Sequence, residues 1–251
     1  LWFFHISEVR LFRAAPGGIL ENIRPIPAER PEGIGAGSTD LRAHNLYIIG
    51  ACKVGGMSDQ ELIDMYGRIT IAISRIEECR EFAALIPEVR SNLVYARIDA
   101  KTADDVLAVD GRITAIGGMP YASGKPRFGA SCHMARLIIE VRKYSPGIRA
   151  GINFASTPDL VRWLSRYCDK KGWIFSAVDR RKEPDNIRTR EGESMPWKVA
   201  EAIHTAGEKV PKIFYESGAE GKEPVTVLLG REPLEVADHI TALARSYHAS
   251  R

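Results

Sequence analysis

The chain has 251 residues, 45% of them hydrophobic, which suffices to bury a sizeable core in one large domain, or one domain and a smaller piece. Its 35 basic and 32 acidic side chains leave a formal charge of only +3, so bulk charge gives no reason to expect nucleic acid and basic residues have to be weighed locally. No run approaches the roughly 18 apolar residues of a membrane span, and Leu1–Phe4 is too short for a secretory apolar region, so a cytoplasmic protein without a membrane partner is expected.

Residues 1–57 mix a short apolar start with Pro16, Gly17, Gly18, Pro25, Pro27, Pro31, Gly33, Gly35 and Gly37, which break any period and predict irregular structure. One short strand is expected at Asn45–Ala51. The first residue is not Met, which fits a fragment or a processed reading frame. Ser58 followed by Glu61 is a capping-box pattern, and Leu62, Tyr66, Ile69, Ile73 and Ile76 recur at spacings of four and three, predicting an amphipathic helix to about Phe82. That helix has to pack on the following domain or on a partner helix. The expected division is therefore 1–57 irregular, 58–85 helical and 86–251 a single domain.

After Pro87 short strands alternate with helices. Strands are predicted at Leu93–Arg97 and Ile113–Gly117, a helix at Ser131–Lys143 with Met134, Leu137, Ile138 and Val141 on one side, and a strand at Ala150–Phe154. Thr157 and Pro158 form an N-cap and first-turn pair that opens the next helix. Trp173–Val178 reads as a strand, Pro196–Thr205 as a helix, Lys212–Tyr215 and Val225–Leu229 as strands, and Pro233–Tyr247 as the last helix. Such alternation favours a largely parallel sheet covered by helices on both faces, with ligands where loops leave the carboxyl ends of strands.

The segment Asp110–Arg136 is the richest in chemistry. Its glycines at 111, 117, 118, 124 and 129 let backbone N–H groups approach an anion, and Arg112, Lys125, Arg127, His133 and Arg136 supply charge. It ends at a helix start, with Ser131 as N-cap candidate and His133 in the first turn, where unpaired N–H groups attract phosphate. The alternative reading is a Gly-rich turn with a basic rim, because neither nucleotide-binding glycine pattern is present. Asp179–Trp197 is too polar for a core and too long for a tight turn, so it reads as an active-site loop or as a solvated one. Asp179 directly follows a strand, and Glu183, Glu191 and Glu193 are carboxylates that suit a cation or an amine. Asn92 and Asn153, each at a strand, are on their own more often structural than catalytic. The four cysteines, Cys52, Cys79, Cys132 and Cys168, have no metal or redox spacing and suit reduced thiols.

These segments, in this order, resemble the ThiN family of archaeal and some bacterial thiamine-phosphate synthases. The resemblance is carried by IPEVRSNLVYA (Ile86–Ala96), DGRI (Asp110–Ile113), KPRFGASCHMAR (Lys125–Arg136), GINF (Gly151–Phe154), DRRKEP (Asp179–Pro184), REGESMPW (Arg190–Trp197), GKEP (Gly221–Pro224) and LLGREPLEVADHI (Leu228–Ile240). It implies an α/β fold, a three-layer α/β/α sandwich similar to class II aldolases with a largely parallel or mixed sheet. It also implies the joining of hydroxymethylpyrimidine diphosphate to hydroxyethylthiazole phosphate, giving thiamine phosphate and pyrophosphate, with Mg2+ as the expected cofactor. On this resemblance the catalytic pair falls on Arg112 and His133. The residues expected to hold substrate or phosphate are Asn92, Lys125, Arg127, Gly129, Ser131, Arg136, Asn153, Asp179, Glu191, Met195 and Lys222. Asp179 and Glu191 are open to substrate or Mg2+, and the metal ligands are otherwise unassigned. The partners implied are the two small-molecule substrates and, as an open reading, a second copy in a homodimer.

Two residues depart from the family pattern: Arg90 stands where many relatives are expected to have glycine, and Asp110 where proline is expected. Residues 1–57 show none of the features of the pyrimidine kinase to which such domains are often fused. A regulatory branch joins the domain to a helix-turn-helix and senses thiamine phosphates without catalysis. This second reading needs a basic DNA-reading element in the first 85 residues, where the sequence offers a Pro/Gly-rich stretch and a helix that is acidic at its start.

Overall fold

The protein is described by a computed structural model that covers residues 58–188, 194–218 and 223–251. The strand expected at Asn45–Ala51, and Glu191, Glu193, Gly221 and Lys222, lie outside the described residues. Ser58 accepts from the Glu61 amide at 3.2 Å and so satisfies one open donor of helix α1, Asp59–Glu77. The helix buries Leu62, Met65, Ile69, Ala72, Ile73 and Ile76, which is the stripe its spacing predicts. It ends five residues earlier than expected. The chain tightens at Arg80–Leu85 into a 3-10 turn that buries Phe82 and Leu85 by itself.

Among the described residues nine strands follow: β1 (Leu93–Ala96), β2 (Val106–Val109), β3 (Ile113–Ile116), β4 (Met119–Ala122), β5 (Pro126–Phe128), β6 (Ala150–Ala155), β7 (Phe175–Val178), β8 (Ile213–Glu216) and β9 (Val225–Gly230). Between and after them lie helices α2 (Cys132–Tyr144), α3 (Pro158–Lys171), α4 (Asp185–Arg188), α5 (Ser194–Thr205) and α6 (Pro233–His248). Seven strands form one sheet in the order β5-β2-β1-β6-β9-β8-β7, and β3 pairs with β4 in a separate hairpin whose Ile113 also bridges Ser91.

Period two within each strand sorts its residues between two layers. Leu93 and Tyr95 of β1 join the core under α1, α3 and α6, while Val94 and Ala96 join the core under α2 and α5. The result is a three-layer α/β/α fold. Of the two sheet types expected, the mixed one is found, and the parallel bias of the alternation is corrected: only β7 and β8 run parallel, and every other pairing is antiparallel. The physical reason is burial. With helices on both faces, β1, β2 and β9 are buried along their whole length and carry the continuous apolar composition that otherwise marks parallel strands.

The Gly-rich stretch also differs from its expected form. Gly117 and Gly118, at φ 59° and 77°, make the two-residue turn of the β3–β4 hairpin, where both positions require positive φ. Residues 126–128 then add an edge strand to the sheet. Only the two ends of the stretch, near Arg112 and from Ser131 to Arg136, reach the site described below.

The register brings the carboxyl ends of β2, β6, β7 and β8 and the amino ends of β1 and β9 to one edge of the sheet. That edge depends on a well-filled layer beneath α1. Ile69 is fully buried between α1 and its neighbours, so Ile69→Ala should cost about 2–5 kcal/mol through lost burial and the cavity it leaves. Urea unfolding of the two proteins, followed by circular dichroism, measures this difference.

Candidate active site

The loop before β1 is held by two asparagines. Asn92 accepts from the Val109 amide at 2.9 Å and donates through Nδ2 to the Val109 carbonyl at 3.1 Å, bridging β1 to β2. Asn153 of β6 accepts from the Asn92 amide at 2.8 Å and donates to the Arg90 carbonyl at 2.9 Å. Both ends of each amide are thus committed to protein groups. Their geometry positions the loop that carries Arg90.

Arg90 and Arg112 share a rare backbone conformation. Both are left-handed, at φ 66° and 70°, a region that costs a non-glycine residue roughly 1–2 kcal/mol. This accounts for Arg90 where glycine is expected: the backbone keeps a glycine-like shape and the side chain adds a cation. Asp110 also acquires a structural role. It pairs with Arg127 at 3.0 Å at the surface, and hydrogen bonding from Arg127 holds its carboxyl below the usual range.

Helix α2 begins at the same edge. Ser131 is its N-cap residue, but its hydroxyl caps no amide, so the first-turn N–H groups have no side-chain acceptor and suit an anion. His133 lies in that turn, and its ring is accessible from the mouth of the cleft. Loss of water to the surrounding protein, then the charge of Lys198 and, after the opposing pull of Glu216, of Arg112 and Arg180, holds its pKa down to about 4. The free site therefore carries a neutral imidazole at pH 7.

Behind His133 lies a buried ionic cluster. Glu216, at the end of β8, meets Lys198 of α5 at 2.9 Å and Arg180 at 3.1 Å. Arg180 also donates to Glu183 at 2.6 Å and to the Ser194 hydroxyl at 3.2 Å. Two guanidinium or ammonium charges balance two carboxylates, and all four residues are buried, the arrangement in which ionised groups persist away from water. Burial pushes the Glu216 carboxyl upward, but Lys198, the imidazole of His133 and Arg180 together outweigh it and the group stays below its ordinary value.

These elements enclose a cleft of about 490 Å³. It gathers Asn92, Arg112, Ser131, His133, Arg136, Asn153 and Met195 of the expected residues, and adds Arg90, Arg180, Glu216, Glu223 and Ser194. Lys125, Arg127, Gly129 and Asp179 are not among its lining residues. Lys125 and Arg127 flank and occupy the edge strand β5 and are exposed, and Gly129, at φ 70°, abuts Asp104, whose Oδ1 would lie 2.9 Å from an added Cβ. Asp179 turns to Arg181, whose hydrogen bonds hold its pKa at about 2. Arg90, Arg112 and Arg136 make no ion pair with any described carboxylate, whereas Arg180 makes two.

The unanticipated residues had sequence signals. Glu216 is two positions from Phe214 on the inward face of β8, and Lys198 is three positions from Met195 on the apolar face of α5. A charge on an apolar stripe requires a buried partner. Cys79, Cys132 and Cys168 are free thiols.

The magnesium expectation was compared with the donors present. No three His, Cys, Asp or Glu residues gather as a metal cage among the described residues. Of the cleft carboxylates, Glu216 is held by two cations and Glu223 accepts from the Val89 amide at 2.8 Å. Glu191 and Glu193, carboxylates the sequence also offers to a cation, lie outside the described residues.

The profile of the family described as thiamine-phosphate synthase ThiN matches residues 68–242. The chain belongs to the ThiN family. The thiamine-phosphate synthase ThiN of Methanothermobacter thermautotrophicus is 42% identical over 176 residues, 70% of this chain and 90% of that protein. The bifunctional thiamine biosynthesis protein ThiDN of Methanocaldococcus jannaschii is 37% identical over 166 residues, and this ThiN chain spans only 37% of its length. Among solved structures, the C-terminal domain of a phosphomethylpyrimidine kinase superposes with a TM-score of 0.69 at 34% identity, covering 72% of this chain and 98% of that one.

The depressed pKa of His133 has a stability consequence. In the unfolded chain the imidazole titrates near 6.5, and in the folded site near 4, so between these values the unfolded state binds more protons. Lowering the pH from 6.5 to 4 should therefore destabilise the protein, while this group contributes no slope above about 7. Urea midpoints at pH 7 and pH 5 should differ less in His133→Gln than in the unmodified protein.

Proposed function

We propose that this chain is a thiamine-phosphate synthase, joining hydroxymethylpyrimidine diphosphate to hydroxyethylthiazole phosphate. The reading is carried by the convergence, on one cleft, of three guanidinium groups without described carboxylate partners, the uncapped start of α2 and a neutral His133. It is supported by membership of the ThiN family and by the identity to a protein named thiamine-phosphate synthase ThiN. No helix among the described residues is long and apolar enough to cross a membrane, and a biosynthetic role supports the reading of a cytoplasmic enzyme.

The thiazole nitrogen attacks the methylene carbon attached to the pyrimidine. A carbon–nitrogen bond forms as the carbon–oxygen bond to the diphosphate breaks, and the electron pair leaves on the diphosphate oxygen. The product nitrogen is cationic and pyrophosphate takes the negative charge. Fixed donors aimed at that developing charge are the largest source of acceleration for such a step. Arg112, Arg136 and the first-turn amides of α2 supply them. His133 adds a proton: the bound diphosphate raises its pKa, so the imidazole enters neutral, becomes charged on binding and hands its proton to the departing oxygen. Met195 gives the cleft an apolar wall beside Val225, suited to an aromatic ring. Asn92 and Asn153 act as positioning residues for Arg90 and the end of β2. Mg2+ would be carried by the diphosphate oxygens rather than by described side chains.

The assay is incubation of the purified chain with both substrates and Mg2+, with chromatographic detection of thiamine phosphate; no product would overturn the reading. Arg112→Ala and His133→Ala should each lower kcat by roughly 100-fold or more, as for lost oxyanion donors, with substrate affinity and Tm changed far less. Near-normal turnover with a reduced Tm would make His133 a structural residue.

A further inference from the structure

We propose that Arg90 is a second diphosphate-binding guanidinium, cross-braced with Arg112 so that each takes one phosphoryl group of the same diphosphate. The two side chains anchor reciprocally. Arg90 Nη1 donates to the carbonyl of Gly111, the residue before Arg112, at 3.2 Å, and Arg112 Nη1 donates to the carbonyl of Val89, the residue before Arg90. Each guanidinium thereby fixes the backbone from which the other projects. The main chain at Arg90 is held twice more, by its own amide on the Pro87 carbonyl at 2.8 Å and by Asn153 Nδ2 on its carbonyl at 2.9 Å.

The backbone at Arg90, at φ 66°, is one that glycine or asparagine adopts more readily than arginine. An arginine there is unfavourable for the chain alone, and its side chain lines the cleft. Its charge is not neutralised locally. Glu223, the carboxylate on the same wall, accepts from the Val89 amide at 2.8 Å, and neither Arg90 nor Arg112 pairs with a described carboxylate. A guanidinium has five N–H donors, so one bond to a carbonyl leaves most of the fork available.

Ligand class follows from this arrangement. One guanidinium grips one phosphoryl group in bidentate fashion. A monophosphate is served by Arg112 alone, whereas a diphosphate presents two adjacent groups to two braced forks. The identity of the natural diphosphate rests on the synthase reading above, but binding of a diphosphate does not.

Calorimetric titration of the full chain with inorganic pyrophosphate, and separately with inorganic phosphate, tests the assignment. Arg90→Gly and Arg90→Asn should weaken pyrophosphate by about tenfold or more, inorganic phosphate by less than about threefold, and leave Tm undiminished because both residues accept the left-handed backbone. KM for the pyrimidine diphosphate should rise in parallel, with KM for the thiazole phosphate unchanged. Arg162→Ala removes an exposed arginine paired with Asp159 and should alter neither affinity. Unchanged pyrophosphate affinity in both Arg90 variants, an equal loss for the two anions, or an equal loss in Arg162→Ala would each overturn the proposal. Weakened pyrophosphate binding in a chain that makes no thiamine phosphate would sink the synthase reading and leave the Arg90 assignment standing. Active synthase with unaltered pyrophosphate binding would do the reverse.

Discussion

Glu216 is a carboxylate almost wholly withdrawn from water, and much of the site follows from that constraint. Strand β8 points Phe214 and Glu216 to the same side, into the layer under α2 and α5. A buried carboxylate persists only with close cations, and removing one partner of such a set typically costs about 3–5 kcal/mol. Lys198 anchors α5 against β8, and Arg180 draws in the loop that follows β7. Arg180 in turn is matched by Glu183. The start of α5, the loop after β7 and the end of β8 are thereby fixed relative to one another, and His133 faces a rigid, charge-balanced wall.

The cleft uses its positive charges in two ways. Arg180 and Lys198 are matched by carboxylates inside the protein, where they shape the floor and add to burial, the larger cause, in keeping the imidazole pKa low. Arg90, Arg112 and Arg136 have no described counter-charge and provide attraction for an anion. A bound diphosphate would reverse the local balance, satisfying the free guanidinium groups and raising the pKa of His133. Proton uptake would then be coupled to ligand entry.

Strain is concentrated where these free charges are carried. The two left-handed arginines flank the contact between the loop before β1 and the turn after β2, and Asn92 and Asn153 hold that contact from within the sheet. The unfavourable φ values persist because surrounding hydrogen bonds over-determine the backbone. The sheet edge is thus a stiff frame, and the guanidinium groups project from it at fixed spacing.

Local chemistry in the sequence was enough to specify several elements and the residues that carry charge. The stripe from Leu62 to Ile76, the Thr157–Pro158 start of α3 and the apolar runs of β1, β6 and β9 were legible, because helix period, capping and composition act over a few residues; Arg112 and His133 were paired through the family resemblance rather than by any local pattern. Strand direction was not, since helices on both faces give parallel and antiparallel strands the same composition. The glycines between Arg112 and Ser131 supplied a hairpin turn and close packing rather than an anion loop, and β5 within that stretch carries too few apolar residues to announce itself. The bonds that complete the site join residues far apart in the chain: Asn92 with Asn153 across 61 positions and Arg180 with Glu216 across 36. A sequence period reports which face a residue occupies, but the partner it meets there is decided by how the layers stack, and that is a property of the folded chain alone.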